Sequence, residues 1–206
     1  MKRTVDEHAA RFDQKADKYD TAERPIYASC RDQVIEAADP ASDEVVLDLG
    51  AGTGAIALAL AAEADRVVAR DISTGMLTRA REKAREAGND SIDFATGSFR
   101  EPNYAGRADV VTSNYALHHL DDDGKREAIA RIARYRPRRF VLGDVMFFGE
   151  PDPDDPNYDP DVDDPATVGV LVEAMTDCGF EIVDVVRITD QTGVIVADEP
   201  RVGWEQ

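Results

Sequence analysis

A short apolar segment that runs directly into a glycine-rich turn constrains the fold of this chain more than any other feature. The segment 45–49 is apolar except for Asp48, and it is followed at once by Gly50-Ala51-Gly52-Thr53-Gly54. Glycine lets the backbone turn sharply from a strand into a helix, whose N-terminus presents unpaired N–H groups to a ligand. The pattern therefore predicts a strand, a ligand-binding turn and a helix over 55–64.

The rest of the chain repeats this alternation of strand and helix. The predicted strands are 45–49, 66–72, 92–95, 108–114, 140–147, 181–188 and 192–197. The predicted helices are an amphipathic one through Ala9, Phe12, Ala16 and Tyr19, followed by 26–38, 55–64, 74–87, 124–135 and 167–178. Such alternation implies right-handed βαβ units. We expect an α/β, doubly wound, seven-stranded and mainly parallel sheet with a C-terminal antiparallel hairpin, because only 189–191 separate the last two strands.

The predicted domain organisation follows from length and composition. The chain has 206 residues, which favours one domain with at most a small appendage. We assign 1–40 to N-terminal helices and 41–199 to the main domain. The segment 150–165 holds five Pro and seven Asp, which predicts a loop or a partly disordered lid. Its Asp spacing resembles the start of a calcium loop, but Asp164 stands where that loop requires Gly, so no metal ligand is assigned.

The charge of the chain limits its partners. There are 28 Asp and 14 Glu against 19 Arg and 5 Lys, a formal net charge of -18. This excludes a free-standing basic nucleic-acid binder in ordinary salt. The Asp and Arg excess is similar to proteins of halophilic archaea, although an acidic mesophilic protein would also fit. In concentrated salt, screening falls to roughly 3 Å, and residues 66–139 carry a net charge of +4, so an RNA acceptor stays open.

Compartment is predicted from what the sequence lacks. The N-terminal 20 residues show no signal-peptide apolar stretch, and no run approaches the roughly 20 apolar residues of a membrane span. Two cysteines, Cys30 and Cys178, are too few for a disulfide framework. We expect a cytoplasmic protein in a reducing compartment, with no membrane partner.

Two carboxylates sharpen the interpretation of the glycine turn. Asp48 lies one residue before the end of the first strand, within reach of the turn or of an ammonium group bound there. Asp71 ends the second strand, where a carboxylate can accept two hydrogen bonds from a ribose diol. The spacing Gly50-x-Gly52-x-x-Ala55 also satisfies the dinucleotide fingerprint, which leaves a nicotinamide oxidoreductase open.

The ordered motifs resemble those of one enzyme family. They are Asp48-x-Gly50-x-Gly52-x-Gly54, Asp71-Ile72-Ser73 with Met76-Leu77, Asp109-Val110-Val111, and Asn114-Tyr115-Ala116-Leu117-His118-His119-Leu120. Together they are similar to class I S-adenosylmethionine-dependent methyltransferases, with the methyltransferase type 11 and quinone-biosynthesis enzymes as the nearest subgroup. The resemblance covers roughly residues 5–199. It implies a Rossmann-like fold and S-adenosylmethionine as cofactor.

Carried over residue by residue, the resemblance implies a cofactor site and a cover. The implied cofactor contacts are Tyr19, Asp48, Gly50, Ala51, Gly52, Gly54, Asp71, Ile72, Met76, Ser98, Phe99 and Asn114. Gly50, Ala51 and Gly52 would face the methionine portion, Asp71 the ribose, and Ile72 and Met76 the adenine. Relatives usually carry an acidic residue where this chain has Ser98. Residues 1–40 would cover the cofactor, although helical spacing alone explains Tyr19 and Met76 equally well as core residues.

Chemistry at the end of the fourth strand is predicted from residue type. His118 has the pKa range of a general base, but a paired His is at least as often structural. Asn114-Tyr115 resembles part of the Asn-Pro-Pro-Tyr motif of amino methyltransferases and lacks both prolines, which disfavours that route. Seven basic residues lie between Lys125 and Arg139. They form either a solvated helix end or a patch for RNA phosphates.

The acceptor and partners stay open at this level. A small-molecule acceptor is favoured, and the alternatives are an RNA or protein of the translation machinery and a non-catalytic cofactor-binding module. The strand Ile92 to Ala95 is the expected sheet edge, short and little protected, so it could accept a strand from another chain. Some archaeal and eukaryotic relatives dock a small zinc-binding activator subunit there, which makes such an activator a predicted partner.

Overall fold

A computed structural model describes residues 4–22, 24–150 and 158–199. The helices in these ranges are α1 Val5–Lys15, α2 Pro25–Ala38, α3 Ala55–Leu60, α4 Thr74–Glu86, α5 Asp122–Ala133 and α6 Val168–Asp177, with 3-10 helices at Ala16–Ala22 and Leu117–His119. The strands are β1 Val45–Leu49, β2 Arg66–Asp71, β3 Ile92–Thr96, β4 Val110–Asn114, β5 Arg139–Phe147, β6 Ala166–Thr167, β7 Glu181–Thr189 and β8 Thr192–Asp198.

The sheet has the predicted doubly wound topology. Its strand order is β3-β2-β1-β4-β5-β8-β7. The strands from β3 to β5 pair in parallel, while β8 pairs antiparallel with both β5 and β7. The chain moves outward from β1 through β2 and β3, then returns to the other side of β1 with β4. This reversal between β1 and β4 is a topological switch point, where open α/β sheets leave a crevice for ligands.

Apolar side chains pack on both faces of the sheet. One cluster packs α5 and α6 against one face of the sheet and includes the buried side chains of Phe140, Leu142 and Ile195. The other joins α2 and α3 to the opposite face, with Val34 and Leu60 fully buried. Burial on both faces explains why the central strands read as continuous apolar runs rather than alternating ones.

The N-terminal and loop elements differ from the sequence prediction in three ways. The first helix ends at Lys15 and continues as a 3-10 helix through Tyr19, so its apolar residues do not lie on one α-helical face. Helix α3 stops at Leu60 rather than at residue 64. A two-residue strand, Ala166–Thr167, extends the sheet next to β5.

The Pro/Asp-rich segment is described only in part. Residues 151–157 of the predicted loop lie outside the described residues, as do 1–3 and 23 of the N-terminal segment. The described remainder 158–165 forms a turn that buries Val162, which is 4% exposed. Within it, the backbone N–H of Asp159 donates to Asp163 Oδ2 at 2.8 Å. The backbone N–H of Asp164 donates to the carbonyl of His118 at 2.7 Å, which anchors this part of the loop to the domain.

Strand β3 lies at one edge of the sheet, as predicted. Its edge is more protected than the sequence suggested. The Arg81 guanidinium donates to the carbonyl of Phe94 at 2.8 Å, and the Asn103 amide donates to the carbonyl of Thr96 at 3.2 Å. Side chains from outside the strand thus occupy backbone acceptors that an added strand would use. In the described ranges, no helix has the length and apolar character needed to span a membrane.

Candidate active site

The turn after β1 needs glycine for two physical reasons. Gly50 and Gly52 have φ of +76° and +54°, in the left-handed region that favours glycine. A Cβ added to Gly50 would lie 2.4 Å from Cβ of Ala116. The turn is held from below, because the N–H groups of Gly50 and Ala51 both donate to the carbonyl of Arg70 on β2, at 2.8 and 3.0 Å. Bare backbone is therefore presented at the carboxyl end of β1.

Asp71 braces this turn from the end of β2. One of its carboxylate oxygens accepts from Gly52 N at 2.8 Å and the other from Ser73 N at 2.8 Å. Burial raises the pKa of Asp71, while these N–H bonds oppose the rise. Each carboxylate oxygen still has a second acceptor site, so Asp71 can receive hydroxyl groups from a ligand that lies along the turn.

Asp48 is a buried carboxylate with one satisfied oxygen. Its Oδ1 accepts from the Thr112 hydroxyl at 2.9 Å, whereas Oδ2 is buried with no hydrogen-bond partner among the described atoms. Burial raises the pKa of the Asp48 carboxyl to about 7. The negative charge of Asp71 adds to this rise, and the hydrogen bond from Thr112 opposes it. A buried unsatisfied oxygen is costly, so this position favours a cationic ligand group such as an ammonium.

Asn114 and Tyr115 end β4 on the opposite side of the turn. Both polar side-chain atoms of Asn114 are buried without a hydrogen-bond partner among the described atoms. Tyr115 has φ of +51°, which is strained for a bulky residue. Its N–H donates to the carbonyl of Gly143 at 2.9 Å, and its hydroxyl lies 3.1 Å from that of Thr192. The strained backbone turns the tyrosine ring into the crevice.

A cleft lies where these strand ends meet. The predicted cofactor residues that line it are Tyr19, Gly50, Gly52, Asp71, Ile72, Met76, Ser98, Phe99 and Asn114. Asp48 and Ala51 line a smaller adjoining cavity instead. Gly54 lines neither, and a Cβ there would come within 3.0 Å of Ala80 on α4, which gives Gly54 a packing role. Its predicted contact with the cofactor stays a prediction.

Helix α1 closes one side of the cleft. Asp13 accepts from the Ser73 hydroxyl at 2.6 Å and from Gly75 N at 2.8 Å, which docks α1 on the first turn of α4. These bonds lower the pKa of the Asp13 carboxyl. Phe12 and Tyr19 then line the cleft. The docking places the N-terminal segment over the carboxyl ends of the strands.

His118 is held by a buried carboxylate that the sequence analysis missed. Asp144 on β5 contacts His118 Nδ1 and accepts from its backbone N–H at 2.9 Å. Burial alone would lower the pKa of His118, but the charge and hydrogen bond of Asp144 outweigh it and raise that pKa. The other ring nitrogen, Nε2, lies 3.9 Å from Asp163 Oδ2. No local sequence signal links residues 118 and 144.

His119 and Asp163 form a second pair beside the first. His119 Nδ1 and Asp163 Oδ1 are 2.8 Å apart. Burial and the neighbouring His118 lower the pKa of His119 to about 4. Ligand atoms of His118, His119 and Asp163 all lie within 4.8 Å of one another, a spacing that could hold a metal ion. Their mutual hydrogen bonds account for the same arrangement, so the assignment of no metal ligand stays a prediction.

The basic residues between Lys125 and Arg139 are mostly paired in the structure. Lys125 is 2% exposed and donates to the carbonyl of Leu120 at 2.6 Å. The other paired members are Arg126 with Glu173, Arg136 with Glu199, Arg138 with Glu44 and Arg139 with Asp198. These carboxylates neutralise most of the cluster, which leaves little free charge for RNA phosphates there.

Comparison with known proteins agrees with this geometry. Residues 46–136 match the methyltransferase domain family. An uncharacterised methyltransferase of Geobacillus sp. (strain WCH70) is 32% identical over 145 residues, 69% of this chain and 66% of that protein. The demethylmenaquinone methyltransferase of Thermobifida fusca (strain YX) is 32% identical over 131 residues, 61% of this chain and 55% of that protein. The matches span less than two thirds of these curated relatives.

Solved structures share the fold at low sequence identity. The 4+2 cyclase SpnF gives a TM-score of 0.80 at 17% identity, over 97% of this chain and 98% of that one. A methyltransferase in complex with the Haloferax volcanii Trm112 activator gives 0.76 at 18%, over 92% and 97%. The DhpI complex with SAH gives 0.72 at 20%, over 96% and 98%. Residues 46–136 are therefore a methyltransferase domain, on the Rossmann-like fold of the class I S-adenosylmethionine-dependent methyltransferases.

Proposed function

We propose that this protein is an S-adenosylmethionine-dependent methyltransferase that acts on a small molecule. The observation that carries the proposal is the pair of buried, unsatisfied side chains beside the glycine turn, Asp48 and Asn114. An amino-acid ammonium fits Asp48 Oδ2, and no such group exists on a nicotinamide dinucleotide. Asp71, with acceptor sites left on both oxygens, suits a ribose diol.

The residues at the cleft would divide the cofactor between them. The turn Gly50 to Gly52 and Asp48 would hold the methionine portion, Asp71 the ribose, and Ile72 and Met76 the adenine. The proposal includes residues 1–40 as the cover of the site, which the docking of Asp13 on α4 supports. When bound, the cofactor supplies an electrophilic methyl group on a sulfonium. Excluding water there favours the loss of that positive charge.

His118 is proposed as the general base. A hydroxyl acceptor must lose its proton as it reacts, and Nε2 of His118 can take that proton while Nδ1 stays bonded to Asp144. The Asp144 carboxylate orients the ring and stabilises the imidazolium that results. Methyltransferase chemistry on an acceptor that is already deprotonated would not need this group.

Two measurements test the proposed function. Calorimetry is expected to show binding of S-adenosylhomocysteine and no binding of NAD. Turnover of methyl-labelled cofactor on cell extract, fractionated into small molecules, RNA and protein, is expected to label the small-molecule fraction. Tight NAD binding without a response to S-adenosylhomocysteine would make the chain an oxidoreductase. Cofactor binding without label transfer to any fraction would make it a binding module.

The affinity for S-adenosylhomocysteine is expected to fall as pH drops below 7. Asp48 has a pKa of about 7 and must be ionised to pair with the ligand ammonium, so the affinity should fall by up to about tenfold per pH unit below that value. Calorimetry between pH 5.5 and 8 measures this. Adenosine is the control ligand, because it keeps the ribose proposed to bind Asp71 but has no amino-acid ammonium. Any pH dependence of its affinity therefore reports Asp71 and not Asp48.

A variant and a comparison complete this test. Asp48→Asn should remove the difference in pH dependence between S-adenosylhomocysteine and adenosine. It should also weaken S-adenosylhomocysteine binding at pH 8 while leaving adenosine binding unchanged. Equal pH profiles for both ligands with the unaltered protein would place the ammonium elsewhere.

A second candidate is a translation-machinery methyltransferase that needs an activator subunit. The structural neighbour in complex with the Trm112 activator favours it. The partner would add to the edge strand β3, and doing so requires it to displace Arg81 and Asn103 from the carbonyls they occupy. Co-expression with a zinc-binding activator should then raise solubility and give a stable complex. A monomer that turns over small molecules at full rate without a partner argues against this candidate.

A further inference from the structure

Tyr115 places a bulky aromatic side chain at a strained backbone position beside the cofactor cleft. Non-glycine residues with positive φ in the described ranges are Asp39, Asn103, Tyr115 and Arg136. Of these, Tyr115 is the one that lines the cleft. Its φ of +51° is costly for a tyrosine, and such strain persists only where the surrounding structure holds it, typically at functional sites.

Both ends of Tyr115 are tied to the strands beside β4. Its backbone N–H donates to the carbonyl of Gly143 on β5 at 2.9 Å. Its hydroxyl lies 3.1 Å from the hydroxyl of Thr192, a fully buried residue at the start of β8. Burial raises the pKa of the Tyr115 hydroxyl, so this group stays protonated and a hydrogen bond joins the two hydroxyls. The side chain is therefore fixed at its backbone and at its tip.

These two anchors flank Asp144, the carboxylate that holds the proposed base. Gly143 precedes Asp144 on β5, and Val145, which follows it, pairs with Thr192 across the sheet. The bonds of Tyr115 therefore reach the sheet on either side of Asp144. The same side chain thus fixes the end of β4 to the part of β5 from which the carboxylate projects.

The ring of Tyr115 lies against the proposed base itself. Its centroid is 6.1 Å from that of His118, and the two ring planes meet edge to face at 84°. Aromatic rings at this spacing favour that arrangement. A third ring, that of Tyr27 on α2, lies 4.9 Å from Tyr115. Asp144 bonds one nitrogen of the imidazole, and the packed tyrosine ring limits how far the imidazole can tilt about that bond.

Tyr115 also lies at a boundary between two spaces. It lines the cofactor cleft and a second cavity next to it, whose lining includes Lys18, Thr53 and Tyr27. His118 lines the second cavity and not the cleft. The base must therefore be held at the boundary where cofactor and acceptor would meet, and a displacement of about 1 Å there can cost roughly 10²-fold in rate.

We propose that Tyr115 is a positioning residue that acts through His118. Fixed by Gly143 and Thr192, its ring holds the imidazole in the orientation in which the base faces the acceptor hydroxyl. The backbone strain at Tyr115 is the cost of placing the ring there. This inference rests on the proposed methyltransferase function and on the role of His118 as its base.

A double variant tests whether Tyr115 acts through the base. The assay uses the full chain, methyl-labelled S-adenosylmethionine and the small-molecule fraction of cell extract as the source of acceptor. Tyr115→Phe keeps the ring and removes the bond to Thr192, so the rate at a saturating amount of the fraction should fall about tenfold or more. The half-saturating amount and the affinity for S-adenosylhomocysteine should change little. In the His118→Gln background, Y115F should cause no further loss, because the group that it positions is gone.

Thr192 gives a second set of variants at the other end of the same bond. T192V should lower the rate as much as Y115F, and the two together should lower it no further. T192S keeps the hydroxyl and should restore most of the rate lost in T192V. The control Y135F removes a tyrosine hydroxyl that bonds the Tyr104 carbonyl at 2.7 Å, outside both cavities, and should leave the rate unchanged.

Nuclear magnetic resonance reports on the base without any acceptor. The chain has three histidines, so the ring signals of His118 are identified by their loss in H118Q. Y115F and T192V should shift or broaden these signals, because the neighbouring ring is no longer fixed. Y135F should leave them in place.

The role of Tyr115 and the methyltransferase function can fail separately. No binding of S-adenosylhomocysteine, or no label transfer by the unaltered protein, would overturn the methyltransferase proposal and this role with it. Label transfer that is unaffected by H118Q would overturn the base and this role, but not the methyltransferase function. If H118Q is impaired, then a full rate in Y115F, additive losses in H118Q/Y115F or unshifted His118 signals would each overturn the role of Tyr115 alone. Loss of S-adenosylhomocysteine affinity in Y115F would also overturn it, because Tyr115 would then act on the cofactor.

Discussion

Replacing Asp71 by Asn is expected to weaken S-adenosylhomocysteine binding by about tenfold to a hundredfold. The carboxylate accepts from Gly52 N and Ser73 N at 2.8 Å each and would receive the ribose hydroxyls as well. The Asn amide would set an N–H group against one of these backbone donors, and one charge-assisted bond to the ligand would be lost. Bonds to charged groups contribute about 1.5–3 kcal/mol each, so loss of the one bond to the ligand gives this magnitude, whereas the altered backbone contact lowers the stability of the turn. Calorimetry measures it directly.

A matched control distinguishes an effect at the cofactor site from a general effect of removing a negative charge next to β2. Asp65 is an exposed carboxylate immediately before β2, at the end opposite to Asp71. Asp65→Asn removes the same charge without touching the turn and should leave S-adenosylhomocysteine affinity unchanged. If Asp71→Asn folds with an unaltered circular dichroism spectrum and binds S-adenosylhomocysteine as tightly as the original chain, the ribose assignment is wrong.

Replacing His118 by Gln is expected to lower kcat by roughly 10²- to 10⁴-fold with a hydroxyl acceptor, the range typical of a lost general base. In the unaltered protein, kcat should rise with pH, because His118 must lose its proton to act and Asp144 raises its pKa. The measurement is the pH profile of kcat with the acceptor labelled in the extract assay. S-adenosylhomocysteine affinity should change little, since His118 does not line the cofactor cleft.

Asp144→Asn tests the pair as a unit. Asp144 is a positioning residue, 2% exposed, that acts through His118. Without its charge, the pKa of His118 should fall, so the rise of kcat should move to lower pH while its plateau also falls. The pair also stabilises the fold below the unfolded His pKa of about 6.5, and that contribution disappears as pH rises through the folded value.

Two results would contradict the role of His118 as base. A His118→Gln enzyme with kcat within a few-fold of the original would mean that the acceptor reacts already deprotonated. Loss of activity on adding EDTA, restored by a divalent metal, would mean that His118, His119 and Asp163 serve as ligands instead. We expect activity to be unaffected by EDTA.

Most of the sheet and the glycine turn could be predicted from the sequence. The mostly apolar runs of β1 and β5 are buried on both faces, so these strands could be predicted without knowing their neighbours. The bounds of helix α4 follow from local signals: the Ser73 side chain caps its N-terminus, and Gly88, with φ of +66°, follows its C-terminus. The hairpin of β7 and β8 follows from a connection too short for a parallel crossover.

Only those parts of the candidate site that depend on local backbone geometry could be predicted from the sequence. Gly50, Gly52 and Asp71 share one short stretch of strand and turn, and their positions follow from backbone geometry. Tyr115 stands in the sequence motif, but its left-handed φ was not foreseen. The edge of β3 is more protected than the sequence suggested, because Arg81 and Asn103, which lie outside the strand, donate to its backbone carbonyls. The pairing of the basic cluster could not be predicted either, because its carboxylate partners, such as Glu44 for Arg138, come from distant parts of the chain.

The sequence by itself determined the alternation of strands and helices and the need for glycine after β1, because both depend on side-chain period and on φ at single residues. Only the tertiary structure decided which polar groups are left unsatisfied and which charges converge. Asp48 and Asn114 lack partners because the sheet buries them, and His118 meets Asp144 because β4 and β5 pair. Desolvation and charge convergence depend on every surrounding element, and no local pattern contains that information.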